Sequence, residues 1–361
     1  MMNCRSQTES SMNFCRHWIV AGLTAVALAT MTAQSFAEDA LSGELVVIGF
    51  GGSYGDAMRE IVIEPFAAET GVEVRYLDTC CASIPTAIES GQFAGDVAVG
   101  LDVGGLLNWS GRGYFMADER LVDLAKGAGV PDIYYHPAMV ITNLYAYVVA
   151  AHGTDTPLPT NWAEFFDIES FPGTRVLMRT SPVATLEAAL LADGVAPDAL
   201  YPLDVNRALK KLDALRSETQ VLFAESPADL VNMLATGTAD YAIAYSNRMF
   251  AAAKDGLPVT FSYDQGLSTG NGHGILTGTR NPRAAVALLA FALRPDVLAA
   301  MAERTGLSPS TAAGVDAVRP EMRDLLPASE KSQASQIPLN TNYWGEHRSS
   351  VGDAWVQWLT R

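Results

Sequence analysis

Cysteine is scarce: the 361 residues hold four, and two of these, Cys4 and Cys15, precede the first long apolar run. The other two, Cys80 and Cys81, are adjacent, so they cannot staple distant segments. A vicinal disulfide and a plain pair of loop residues both stay open for them, and no cysteine–histidine spacing matches a zinc site. Positive charge is short as well, 24 Lys and Arg against 40 Asp and Glu, a net −16. With no basic run, a nucleic-acid or anionic-membrane partner is disfavoured, and the charge reads as a solubility device. No apolar stretch reaches the roughly 20 residues a membrane span needs.

Catalytic patterns are also missing. There is no Gly-x-Ser-x-Gly nucleophile elbow and no P-loop lysine. Beyond residue 37 the histidines are His136, His152, His273 and His347, scattered without metal-ligand spacing. Gly49-Phe50-Gly51-Gly52-Ser53-Tyr54 falls short of a dinucleotide fingerprint, because Tyr54 stands where a third glycine must let helix and strand pack closely. These absences predict a protein with no metal and no cofactor that binds without catalysing. An exported α/β enzyme acting on a small polar metabolite is the alternative.

What is present begins with an export signal over residues 1–37. Arg5 and Arg16 precede the apolar run Ile19 to Ala29, and Ser35-Phe36-Ala37 supplies small residues for cleavage. That segment carries Arg5, Arg16 and Glu9, a net +1, so the remainder stands at −17. The expected location is the periplasm.

The remainder is organised around Glu44–Asp56. A β-branched apolar run, Glu44–Ile48, reads as a buried parallel strand. A glycine loop follows, and Asp56 is expected to cap a helix burying Met58, Ile61, Val62 and Phe66 and ending at Gly71. Strand–helix alternation continues through Val72–Leu77, Ile84–Glu89, Asp96–Val99 and Leu106–Arg112. Asn143–Ala150 is a long strand, after which the chain crosses to a second α/β unit. There, Arg175–Met178 leads to Ser181-Pro182, read as the cap of a helix Val183–Ala192. Ser226 caps another helix, and Tyr241–Tyr245 is a strand with Ser246-Asn247-Arg248 at its end. Val259–Tyr263 returns the chain, Gly266–Gly274 reads as a glycine-rich site loop, and Asn281-Pro282 opens a helix.

The fold class expected is therefore α/β: two lobes joined by a hinge, with the ligand cleft between facing strand ends. Lobe 1 is assigned residues 42–146 plus 268–310, and lobe 2 residues 147–267 plus 311–361. Each lobe is expected to have its own sheet. Residues just past strand ends are the candidate ligand contacts: Ser53, Tyr54, Asp102, Arg179, Ser246, Asn247, Arg248 and Asn271.

Several stretches together resemble one family. They are Gly51-Gly52-Ser53-Tyr54 with Glu64-Pro65-Phe66 and Glu69-Thr70-Gly71-Val72, Asn161-Trp162-Ala163-Glu164-Phe165-Phe166, Leu190 to Val195, Leu234-Ala235-Thr236-Gly237, and Asn281 to Ala285. The chain resembles the periplasmic solute-binding components of ABC importers, in the spermidine/putrescine-binding family. That resemblance implies the two-lobed, type II-like periplasmic binding protein fold and delivery of a small solute to a membrane permease. Polyamine binders of the family carry Trp-Ser-Gly-Asp where this chain has Tyr245-Ser246-Asn247-Arg248, and a later family aspartate falls on Asn271. A dication needs carboxylates to offset its desolvation. Here one carboxylate is replaced by a guanidinium and the other by an amide. A related branch has Trp-Asn-Gly-Arg at the first position. The expected ligand is accordingly polyamine-like, or a zwitterionic or acidic amine-bearing solute with Arg248 on its anion and Asp102 on its amine.

Overall fold

The computed structural model describes residues 41–79 and 83–361; the leader expected at 1–37 and the pair Cys80-Cys81 lie outside the described residues. The strands are β1 (Glu44–Ile48), β2 (Glu73–Leu77), β3 (Val97–Asp102), β4 (Val140–His152), β5 (Arg175–Met178), β6 (Val221–Ala224), β7 (Tyr241–Tyr245), β8 (Val259–Ile275), β9 (Ser308–Pro309) and β10 (Ile337–Pro338). Their order is β2-β1-β3-β8-β4-β7-β5-β6, with β9 beside β4 and β10 beside β8. β1 runs parallel to β2 and β3, and β5 runs parallel to β6 and β7, whereas β4 and β8 are antiparallel to their main neighbours.

Two sheets were expected, and the ladder is instead continuous. The reason is the length of β4 and β8, 13 and 17 residues, which lets each pair with strands of both halves. The ladder does carry a break in register. Tyr147 faces Leu267, but Val149 faces Ser262, so residues 263–266 of β8 have no partner on β4. Gln265 in that excursion takes a left-handed φ of 53°. Trp162 holds it, its indole Nε1–H donating to the Gln265 carbonyl at 2.9 Å and its backbone N–H to Oε1 at 3.2 Å. Backbone that leaves a ladder is where a two-lobed α/β protein can bend.

Local expectations hold where local chemistry decides. Asn161, Ser226 and Asn281 each accept an amide from their helix's first turn, and Gly71 and Gly306 close helices in the left-handed conformation. Two caps are corrected. The helix after β1 begins at Gly52, ahead of Asp56, because Gly55 lets its first turn fold back until a Cβ there would lie 2.5 Å from the Phe50 carbonyl oxygen. Asp56 instead pairs with Arg59 at 3.2 Å. A π-helical stretch, Met58–Ile63, then rotates the buried face to Met58, Val62, Ile63 and Phe66. Ser181 lies too far ahead of Thr185, the first helical residue, to act as N-cap; its Oγ accepts from the Val183 amide at 3.3 Å.

The run Gly266–Gly274 is mostly strand rather than loop. A Cβ at Gly272 would lie 2.5 Å from the Val140 carbonyl oxygen, and one at Gly274 would lie 2.5 Å from the Phe115 ring. Those glycines are there because neighbours press on β8.

Within the run, His273 is buried. Its Nδ1 accepts from the Gly100 amide at 3.2 Å, which puts the proton on Nε2, 3.4 Å from Thr142 Oγ1. Burial pushes the imidazole down to about 4. The native ring therefore stays neutral while the unfolded ring, near 6.5, takes a proton. Stability contributed by this site is whole above pH 6.5, falls as pH drops from 6.5 to 4, and levels off below 4, a loss of about 3 kcal/mol. Urea melts at pH 7 and 4.5 should show His273→Gln losing less stability over that interval than wild type; equal losses would refute the assignment.

Candidate ligand-binding site

The site forms where β3, β4, β7 and β8 present residues beside the break in register. Tyr145 and Tyr147 alternate along β4 onto one face, as period-two geometry requires. Tyr245, at the end of β7, completes an aromatic wall: its ring centroid is 4.8 Å from Tyr147 and 6.0 Å from Tyr145, and those two are 5.5 Å apart. Burial raises all three phenols above the usual tyrosine range, so the wall is neutral. It offers π faces and hydroxyl groups to a cation without adding charge.

Asp102 ends β3 and caps the helix Val103–Gly111, accepting from the Gly105 amide at 2.9 Å. In strand register it faces Asn271 of β8. Its carboxylate also takes a bidentate pair from Arg348, at 2.8 and 3.2 Å, and each side chain is 35% exposed. Arg348 belongs to the last helix, Thr341–Leu359. Asp102 and Arg348, together with Gly104, Tyr145, Tyr147, Val183, Thr269, Leu339, Thr341 and Trp344, line a partly open cavity of about 10 Å³, room for one water. Protein groups themselves fill this cleft.

Arg248 stands in the first turn of the helix Ser246–Lys254, which follows β7 directly. It is half-buried beside Tyr245, and burial pulls its guanidinium below the usual arginine range. Among the described residues no carboxylate pairs with it. A partly desolvated cation without a counter-ion, at a helix start, favours an incoming anion.

The structure brings Asp102, Asn271 and, through Tyr245, Arg248 to one region; Asn247 is half-buried beside Arg248. It places the others differently. Tyr54 is buried, its ring packed where Gly100 has no side chain and its hydroxyl without a partner among the described residues. Ser53 is exposed in the turn ahead of it. Arg179 is exposed and paired with Glu225 at 3.3 Å. Ser246 is fully buried, its Oγ accepting from the Ala146 amide at 3.1 Å and so tying β7 to β4. Sequence reasoning missed Tyr145, Tyr147, Trp344 and Arg348. The tyrosine alternation was visible in β4, and Trp344 and Arg348 share a helix face at i, i+4, but nothing local ties that face to Asp102.

The model of the bacterial extracellular solute-binding protein family matches residues 62–325. The chain belongs to this family. A solved ABC transporter substrate-binding protein from Bradyrhizobium japonicum USDA 110 is 30% identical, with a TM-score of 0.79, over 88% of this chain and 99% of that one. A γ-aminobutyric acid-binding protein of Pseudomonas aeruginosa is 28% identical over 335 residues, 90% of this chain and 93% of the relative. The Atu4243-GABA receptor is 28% identical, with a TM-score of 0.79, over 87% of this chain and 97% of that one. These relatives are solute-binding proteins and not enzymes, and this solute-binding protein shares their two-lobed α/β fold and their role of capturing solute for an ABC transporter. The match is to the extracellular solute-binding family at large, without a polyamine branch.

Proposed function

We propose that this solute-binding protein captures a small zwitterion with its carboxylate and ammonium at opposite ends, of the ω-amino acid class, and delivers it to an inner-membrane ABC permease. The observation that carries this reading is the half-buried Arg248, without a carboxylate partner among the described residues, which shares Tyr245 as a neighbour with Asp102. Arg248 takes the ligand's carboxylate; Asp102 and the π faces of Tyr145, Tyr147 and Tyr245 take its ammonium. Relatives named for γ-aminobutyric acid support the same class. The leader at 1–37 accords with release into the periplasm. The lobes on this reading are residues 42–146 with 268–310, and 147–267 with 311–361, divided where β4 and β8 lose register.

Polyamines, implied by resemblance to the spermidine/putrescine branch, are the second reading. Among the residues lining the cavity, Asp102 is the one carboxylate and is already paired with the Arg348 guanidinium, a poor balance for a dication. Calorimetric titration of wild type and Arg248→Ala with γ-aminobutyrate and with spermidine separates the two. Arg248→Ala should weaken γ-aminobutyrate at least about tenfold and leave spermidine unchanged or slightly tighter. Tight spermidine binding by wild type that Arg248→Ala abolishes would reverse the conclusion.

A further inference from the structure

The last helix, Thr341–Leu359, is fastened on one side and docked on the other. Its fastened side meets the half of the molecule built on β5, β6 and β7. The Trp344 Nε1–H donates to buried Glu187 at 2.7 Å, the Trp355 Nε1–H to the Arg179 carbonyl at 2.7 Å, and the Trp358 Nε1–H to Asp213 at 2.7 Å. Tyr201 also donates to Glu187, at 2.7 Å, and its ring lies 5.2 Å from Tyr343. Three buried indoles tied in this way, one of them to the buried Glu187 carboxylate, hold the helix rigidly to that half.

The docked side lies on the helix Val103–Gly111, which follows β3 in the other half. Backbones approach closely there because of two glycines. A Cβ at Gly345 would lie 2.7 Å from Leu107 Cβ, and one at Gly104 would lie 2.9 Å from Trp344 Cβ. Asn108 Nδ2 donates to the Gly345 carbonyl at 3.0 Å, and one turn on, Arg348 makes its bidentate pair with Asp102. Asp102 cannot swing away with Arg348, since its carboxylate is also held by the Gly105 amide.

We propose that this helix is an intramolecular latch: Arg348 bridges the two halves through Asp102 and stands where the ligand's ammonium must go, so that ligand and latch compete for one carboxylate. The inference rests on the reading that Asp102 receives the ligand's amine. It also makes Arg348 a specificity-determining residue. A guanidinium bound through two parallel hydrogen bonds is a stronger partner for a carboxylate than a single ammonium. A plain amine therefore competes poorly, whereas a ligand with a second anchor on Arg248 has the surplus needed to displace the latch.

The test uses the whole mature chain, wild type against Arg348→Met, which keeps length and removes charge, and against Gly345→Ala, which forces the helices apart with the charges intact. Circular dichroism melts establish that each variant folds. Small-angle scattering without added ligand should give both variants a larger radius of gyration than wild type. Calorimetry should show Arg348→Met binding γ-aminobutyrate and n-butylamine each about tenfold tighter, by a similar factor. If Arg348→Met weakens γ-aminobutyrate and leaves n-butylamine unchanged, Arg348 is a carboxylate contact and the latch is wrong. Coincident scattering of wild type and both variants also overturns it. Scattering that separates while wild type binds no γ-aminobutyrate keeps the latch and removes the ligand assignment instead.

Discussion

Replacing Arg175 by leucine should cost the protein about 3–5 kcal/mol of stability. Arg175 is fully buried at the start of β5, and among the described residues no carboxylate pairs with it. Its guanidinium instead serves three backbone carbonyls of the preceding segment: Nε donates to Phe165 at 3.0 Å, Nη1 to Gly173 at 2.8 Å and Nη2 to Phe171 at 2.6 Å. The group also lies 4.4 Å from the Tyr241 ring centroid and 5.4 Å from that of Phe165. Burial pulls it down to about 10, a sign that carrying the charge inside is itself costly. Leucine removes that cost but leaves the Phe165 and Phe171 carbonyl oxygens without a donor among the described residues, each worth about 1–3 kcal/mol, and a void where the fork had been, while the Gly173 carbonyl keeps Thr219 Oγ1 at 2.8 Å. The carbonyl losses dominate. Against a total of about 5–15 kcal/mol this is a large share. Arg175→Lys should fare little better, because one ammonium cannot span three acceptors. Denaturant melts decide the matter, and a change below about 1 kcal/mol for Arg175→Leu would show that the carbonyls find other donors.

Asp102→Asn should weaken binding of an amine-bearing ligand by about 2–5 kcal/mol, roughly thirtyfold to several-thousandfold. The substitution keeps shape and the helix cap, since asparagine caps as well as aspartate, so the helix Val103–Gly111 should hold its place. What goes is the formal charge opposite the ligand's ammonium, at a spot walled by three neutral tyrosines that screen little. Arg348 is left facing an amide, adding a repulsion that wild type cancels. Titration of γ-aminobutyrate into both proteins measures the difference, and less than a threefold change would remove Asp102 from the ligand's contacts. The sign is opposite to that expected of Arg348→Met, although the two substitutions break the same ion pair.

The sequence by itself determined what local chemistry determines. The strands Arg175–Met178 and Tyr241–Tyr245 fall where β-branched or aromatic runs end at polar residues, and helices open on Asn161, Ser226 and Asn281 because those side chains can satisfy a first-turn amide. Asp102 and Arg248 were singled out from the ends of apolar strands, and they stand as the last residue of β3 and three residues past β7. Tertiary structure decided the rest. The glycines of 266–274 looked like a loop because their purpose, making room for Val140 and Phe115, lies in partners more than 130 residues away in the chain. Ser246 looked available to a ligand and is instead bonded to the backbone of β4. Arg348 sits 246 residues beyond Asp102, and no pattern in the tail reveals that three tryptophans fasten its helix to one half of the molecule while Gly345 seats it on the other. Caps and strand ends are fixed by neighbours within four residues, whereas the charge balance of the cleft is fixed by which distant backbones can approach closely enough to touch.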